Sequence, residues 1–231
     1  TDLVFFLFAT GLFQSFFVIV DFFPSYGQGP QSTPDGFYDL KSLIDPRFWK
    51  ESFLMALLFQ MYLSTFASSL MLVTTLITGK KAALFSDNPM LRATSPSDFW
   101  GRRWNLLVHK CLKNGVFKPV YYGSGSQLLA VLAAFLASGL FHEWLLPNVF
   151  FNYPNSHGPT LLFFMWQAAL VILEVLLRPL LSDVWLPPAL QTAMVVLAGL
   201  PPGHWFCDSF WRSQFYVQGQ MGLPIILPVD S

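Results

Sequence analysis

Charge is what this sequence has least of. Only 11% of its 231 residues are Asp, Glu, Lys or Arg, less than half of the ~25% usual in soluble domains. Thirteen basic and thirteen acidic side chains cannot cover a water-facing surface on a chain of this length. The charge is balanced, with an isoelectric point near 6.8. The basic footprint that phosphate backbones require is therefore missing, which excludes nucleic-acid binding. The two cysteines, Cys111 and Cys207, make no disulfide framework. There is no HExxH or CxxC spacing, no GxSxG elbow and no glycine loop to cradle phosphate, so no metal site is expected. Repeats and low-complexity tracts are also missing. Disorder is excluded by a hydrophobic content of 54% and a mean hydropathy of +0.49. Long apolar runs are present instead, and they predict an all-α, polytopic integral membrane protein.

The runs divide the chain. Leu3 to Val20 is the first, about 27 Å long as a helix. Ser52 to Thr78 is longer and must tilt or overhang a ~30 Å hydrocarbon core. Gln127 to Leu146 and Thr160 to Leu177 follow. Ala189 to Leu200 is only about 18 Å long before Pro201-Pro202-Gly203 breaks it, and an irregular continuation through Trp205 and Phe206 is expected. Met221 to Leu227 is too short to span. Three parts are expected: N-terminal spans with an extramembrane loop (1–86), a core (87–200) and an irregular, membrane-associated C-terminal segment (201–231). The first run opens without an initiator Met or a basic n-region, so a signal peptide is a poor reading. A fragment of a longer membrane protein is expected.

Loop charge predicts the orientation. The Gly79–Gly123 loop holds Lys80, Lys81, Arg92, Arg102, Arg103, Lys110, Lys113 and Lys118 against Asp87 and Asp98 alone. The Asp21–Glu51 loop has three basic residues against five acidic ones, and Asn148–Pro159 has no charge. The basic loop is therefore expected in the cytosol, with the other two on the far side.

Polar residues in unusual places mark candidate chemistry. In the basic loop, Ser97 is a candidate N-cap with Asp98 in the first turn. Helical spacing then sets Trp100, Trp104, Leu107 and Cys111 on one face, with Gly115 as the stop. Taken alone, this stretch reads as an interfacial amphipathic helix, with Trp at headgroup depth and Arg snorkelling. The third run carries Ser138-Gly139-Leu140-Phe141-His142-Glu143. Ionisable residues inside a span usually face a cavity or a partner. His142 shares a helical face with Ser138, and Glu143 points elsewhere. An inter-helix hydrogen bond explains His142 as well as a catalytic role does. Glu174 and Arg178, four apart, read as a structural pair, and His109, His157 and His204 as solvated or packed.

Together, Ser97-Asp98-Phe99-Trp100-Gly101-Arg102-Arg103-Trp104-Asn105 and Ser138-Gly139-Leu140-Phe141-His142-Glu143 resemble the paired signatures of the wax synthase-like branch of the membrane-bound O-acyltransferases. Phe163-Phe164, Gln167 and Glu174 are similar to that family's following helix. The resemblance covers about Asp87 to Leu200. It implies a helical protein enclosing a reaction chamber open to cytosolic acyl-CoA and to lipid, in the endoplasmic reticulum. By motif position, His142 matches the family's catalytic histidine and Asn105 its second signature polar residue. The expected reaction is acyl-CoA-dependent esterification of a lipid alcohol, most simply a fatty alcohol giving a wax ester. No cofactor is expected beyond acyl-CoA as co-substrate, and the partners are acyl-CoA, a lipid alcohol and membrane lipids. A base near neutral pKa is the natural agent for the alcohol's proton, and an amide can donate to a developing oxyanion. Arg102 and Arg103 stand where CoA phosphates would arrive. Trp100, Trp104, Ser138 and Glu143 complete the expected substrate-binding set. Sterol, diacylglycerol or terpenoid acceptors, and a non-catalytic lipid-binding subunit, are the alternatives. A transporter is disfavoured because no internal symmetry appears.

Overall fold

The computed structural model describes residues 4, 7, 8 and 11 and then 39–80, 86–149, 158–181 and 185–212. All but those first four residues of the expected first span, the Met221–Leu227 stretch and most of the Asp21–Glu51 and Asn148–Pro159 loops lie outside them. Among the described residues the only regular elements are helices. The all-α class holds.

Helix α1 is Pro46–Thr78, about 50 Å long if straight. It starts earlier than its apolar run because Asp45 caps it, accepting from the Arg47 N–H at 3.0 Å, with Pro46 in the first helical position. It ends where Gly79 turns left-handed at φ +66°. Its buried stripe runs through Phe48, Ser52, Met55, Leu58, Tyr62 and Thr65 at three- and four-residue steps, with Glu51 beside it.

The basic loop is segmented. Short helices α2 (Pro89–Arg92) and α3 (Pro96–Asp98) lead into a π-turn, Phe99–Arg103. Then come α4 (Leu106–Leu112), a second π-turn (Lys113–Phe117) and α5 (Lys118–Ser124). The expected single amphipathic helix is broken because Asn105 takes a left-handed φ of +39°, a conformation Asn tolerates better than most residues. Leu107 and Cys111 are consequently exposed and do not share a buried face with Trp100. Gly115 sits inside the second π-turn, and the stop falls at Gly125, φ +67°. The cap of α3 is Ser95, whose hydroxyl accepts from the Asp98 N–H at 3.1 Å. Pro96 fits the first helical position, while the Ser97 hydroxyl is engaged by Glu174.

Helices α6 (Gln127–Val149) and α7 (Pro159–Leu181) form an antiparallel pair. Gly139 lies at a close approach of the two: a Cβ there would be 2.6 Å from Leu161 Cδ1 and 3.2 Å from Leu161 Cα. A small residue at the crossing is what allows such contact between membrane helices. Their outer stripes are Leu129, Leu132, Leu136, Leu140 and Trp144 on α6, and Leu162, Trp166, Leu173 and Leu176 on α7. All are exposed and apolar, where a soluble helix would be polar. Pro46–Thr78, Gln127–Leu146 and Pro159–Leu180 are each long and apolar enough to cross a membrane. The shorter α8 (Pro188–Gly199) packs on α2 and α7.

Beyond Pro201-Pro202 the described residues, which end at Arg212, are helical and not irregular. Helix α9 (Gly203–Arg212) packs on α1 and α7. Its Gly203 is required, since a Cβ would meet Ser52 Cβ at 2.8 Å. His204 is 0% exposed, with Nε2 2.8 Å from Ser42 Oγ and its ring stacked on Phe48 at 4.5 Å.

Candidate active site

His142 lies about 22 Å along α6 from Gln127. Its Nδ1 is 2.7 Å from the Ser138 carbonyl one turn earlier. A carbonyl can only accept, so Nδ1 carries the proton, and the neutral ring presents its lone pair at Nε2. Ser138 thus contributes its backbone oxygen to the histidine and is itself buried. The imidazole is walled by aromatic rings. Phe164 of α7 lies 4.6 Å away, and Phe206 of α9 lies 5.8 Å away at a steep angle. Phe141 is at 5.9 Å on α6 itself, turned to the exposed side.

Glu143 points away from the histidine, as expected, toward the start of α7. Its Oε1 accepts from the Leu161 N–H at 2.9 Å. It closes one of the backbone donors that the first turn of α7 leaves open. One carboxylate oxygen of Glu143, expected in the substrate-binding set, is thus engaged in a helix cap.

The signature in the basic loop is seated against α6 and α7. Trp100 packs its ring on Phe135, Phe163 and Phe164 and donates Nε1–H to Gln167 Oε1 at 3.3 Å. The Gln167 amide in turn donates to the Gly199 carbonyl at 3.2 Å, tying α8 to the same junction. Trp104 stacks on Phe99 at 5.5 Å and faces Phe59 of α1 at 6.4 Å. The start of α3 is fastened by Glu174, whose two oxygens accept from the Ser97 N–H and hydroxyl, each at 2.7 Å. The expected Arg178–Glu174 pair is also present, at 2.9 Å. The tie to Ser97 was not legible in the sequence, because nothing local signals a contact between residues so far apart.

The two arginines part company. Arg103 is largely enclosed, bonding Asp98 at 2.7 Å and Asp87 at 2.9 Å. Burial pushes the Asp98 carboxyl up, but the hydrogen bonds from Arg103 and the Thr94 N–H outweigh it. Asp98 is held below the usual carboxylate range. Arg103, expected to meet CoA phosphates, is therefore engaged as a brace inside the loop. Arg102 is exposed and remains a candidate for that role. On α4, burial and then the charge of Lys113 push the His109 imidazole below its ordinary value, so it is neutral at pH 7.

Asn105 caps α4, its Oδ1 accepting from the Val108 N–H at 3.3 Å. The oxygen is engaged in the cap, which leaves the amide N–H donors as the end with chemistry to offer. Among the described residues no hydrogen bond joins Asn105 to His142. The path between them runs through rings: Trp104 to Trp100 at 6.0 Å, Trp100 to Phe164 at 6.2 Å, and Phe164 to His142.

A histidine set into a membrane helix, walled by aromatics and joined to a basic loop, defines a helical membrane protein with a buried polar centre. Its likeness is to the membrane-bound O-acyltransferases, in their wax synthase-like branch. The model of the Membrane bound O-acyl transferase family matches residues 84–166, which hold both signatures. Relatives in Arabidopsis thaliana share the likeness. One, a probable long-chain-alcohol O-fatty-acyltransferase 9, is 48% identical over 58 residues, 22% of this chain and 17% of its own length. Another, a probable long-chain-alcohol O-fatty-acyltransferase 3, is 36% identical over 100 residues, 40% of this chain and 28% of its own. An acyl-CoA–sterol O-acyltransferase 1 is 30% identical over 131 residues, 52% of this chain and 36% of its own. The chain thus spans well under half the length of the relatives it matches. No solved structure matches it.

Proposed function

We propose that this chain carries the histidine-bearing part of an acyl-CoA-dependent O-acyltransferase that esterifies a long-chain fatty alcohol to a wax ester, with His142 as general base. The observation that carries this reading is the fixed tautomer of His142: Nδ1–H is held by the Ser138 carbonyl, and Nε2 is left as the acceptor. In the reaction, Nε2 takes the hydroxyl proton as the alcohol oxygen attacks the thioester carbonyl carbon. The tetrahedral centre collapses, the carbon–sulfur bond breaks, and the CoA thiolate recovers the proton from the imidazolium. A thiolate leaves readily, so no strong acid is needed. The ring wall keeps water away, which favours transfer over hydrolysis. The amide of Asn105 donates to substrate or to the developing oxyanion.

The basic Gly79–Gly123 loop faces the cytosol on this reading and meets CoA with Arg102, in the endoplasmic reticulum membrane. A sterol acceptor is the second reading, favoured by the 131-residue alignment with the sterol acyltransferase. The test is ester formation from labelled acyl-CoA in membranes holding the full-length protein, for wild type and His142→Ala at matched expression. Loss of ester synthesis with the variant still inserted is the expected result. Near-normal turnover in His142→Ala removes the base and the reading with it.

A further inference from the structure

We propose that Phe206 sets the cross-section of the alcohol that reaches His142, admitting a linear primary alcohol and hindering a secondary alcohol borne on a fused ring. This rests on His142 acting as the base. A base must lie within hydrogen-bond reach of the proton it takes. The carbon bearing the hydroxyl is then one bond further on, so whatever borders the imidazole also borders that carbon. Three rings do. Phe141 is half exposed on the outer side of α6, and Phe164 is 4% exposed and enclosed. Among the described residues Phe206 is the one ring that reaches the histidine from outside the α6–α7 pair, and within 203–210 it is the one residue that is not fully buried. It joins contact with the imidazole to an accessible surface.

That ring is a wall and not a gate. It is backed by Phe163, stacked at 5.0 Å, by Phe210 at 5.1 Å and by Phe59 of α1 at 6.1 Å. Its helix cannot withdraw, because Gly203 lies against Ser52 without room for a methyl group, and buried His204 is stacked on Phe48 and bonded to Ser42. A straight-chain primary alcohol presents a single methylene beside its hydroxyl. A sterol presents a branched carbon set in a ring, and it must pass the edge of Phe206 to bring its oxygen to Nε2. Helix α9 also lies beyond residues 84–166, the segment matched by the family model. Acceptor choice would therefore be set by an element outside the shared signatures.

The experiment is a competition. Membranes with the full-length protein receive labelled palmitoyl-CoA with equal hexadecanol and sitosterol, and the ratio of steryl to wax ester is read. Wild type is expected to favour wax ester, Phe206→Ala to raise the steryl share by roughly tenfold, Phe206→Leu to raise it less, and Phe206→Trp to lower it. An unchanged ratio in Phe206→Leu with ester output retained overturns the inference and leaves His142 as base. So does loss of all output in both Phe206→Leu and Phe206→Ala, which would make the ring a packing element. No ester of either kind from expressed wild type instead brings down the acyltransferase reading itself.

Discussion

At Asn105 two roles fall on the two ends of one small amide. The oxygen caps α4 and the left-handed backbone breaks the loop's helix there, while the N–H donors are the end suited to an oxyanion. Asn105→Asp separates the roles, since a carboxylate caps equally well and Asp also tolerates positive φ, but it brings no donor. The variant should stay folded and lose about 10²–10³ in turnover. Turnover near wild type in a stable Asn105→Asp would confine the residue to its cap. The sequence singled out Asn105 and His142 as polar residues inside two signatures. It did not show what holds them. The Ser138 carbonyl on His142 follows from helical spacing, since a side chain readily meets the backbone one turn back. The positive φ of Asn105 does not follow from spacing, because the helical pattern of Trp100, Trp104 and Leu107 runs straight across it.

Elements are tied by charges that the sequence left unpaired. The spans were legible because an uncharged apolar run has few alternatives, and α1, α6, α7 and α8 fall where those runs are. Helix α9 was missed since Pro-Pro-Gly signals a stop, and its helical restart depends on burial against α1 and α7. The pairing among Asp87, Arg92, Asp98 and Arg103 was not legible in the basic loop, because it is a matter of tertiary position. Arg102→Ala and Arg103→Ala should therefore differ in kind. Arg102→Ala is expected to raise KM for acyl-CoA several-fold, with little change for the alcohol and no change in stability. Its effect should shrink with added salt. Arg103→Ala should cost about 2 kcal/mol, for lost hydrogen bonds to charged groups, seen as a lower melting temperature in detergent. Acid should mimic it. The Asp98 pKa is depressed in the folded chain, so its stabilisation is complete above the ordinary carboxylate range and is lost as pH falls through the folded value. Equal KM effects in both variants, with no loss of stability in Arg103→Ala, would contradict the division.

For the whole molecule the open matter is which side each element faces, and the chain carries its own probes. Cys111 is exposed on α4 in the basic loop, and Cys207 is buried in α9 between α1 and α7. Eight of the thirteen basic residues share the loop with Cys111, so on the proposed topology, which follows the positive-inside bias, that thiol is expected in the cytosol. Glu174 supports the same sense. It bonds Ser97 of the loop, and it lies toward the end of α7 away from Glu143 and the Asn148–Pro159 side. Sealed microsomes treated with a membrane-impermeant maleimide should therefore label Cys111 without permeabilisation. Cys207 should react only after the protein is unfolded, because burial shields its sulfur. Peptide mapping distinguishes the two sites. Labelling of Cys111 only after detergent would invert the topology. Arg102 would then face the lumen, and the thioester could not arrive from the cytosol by way of this loop.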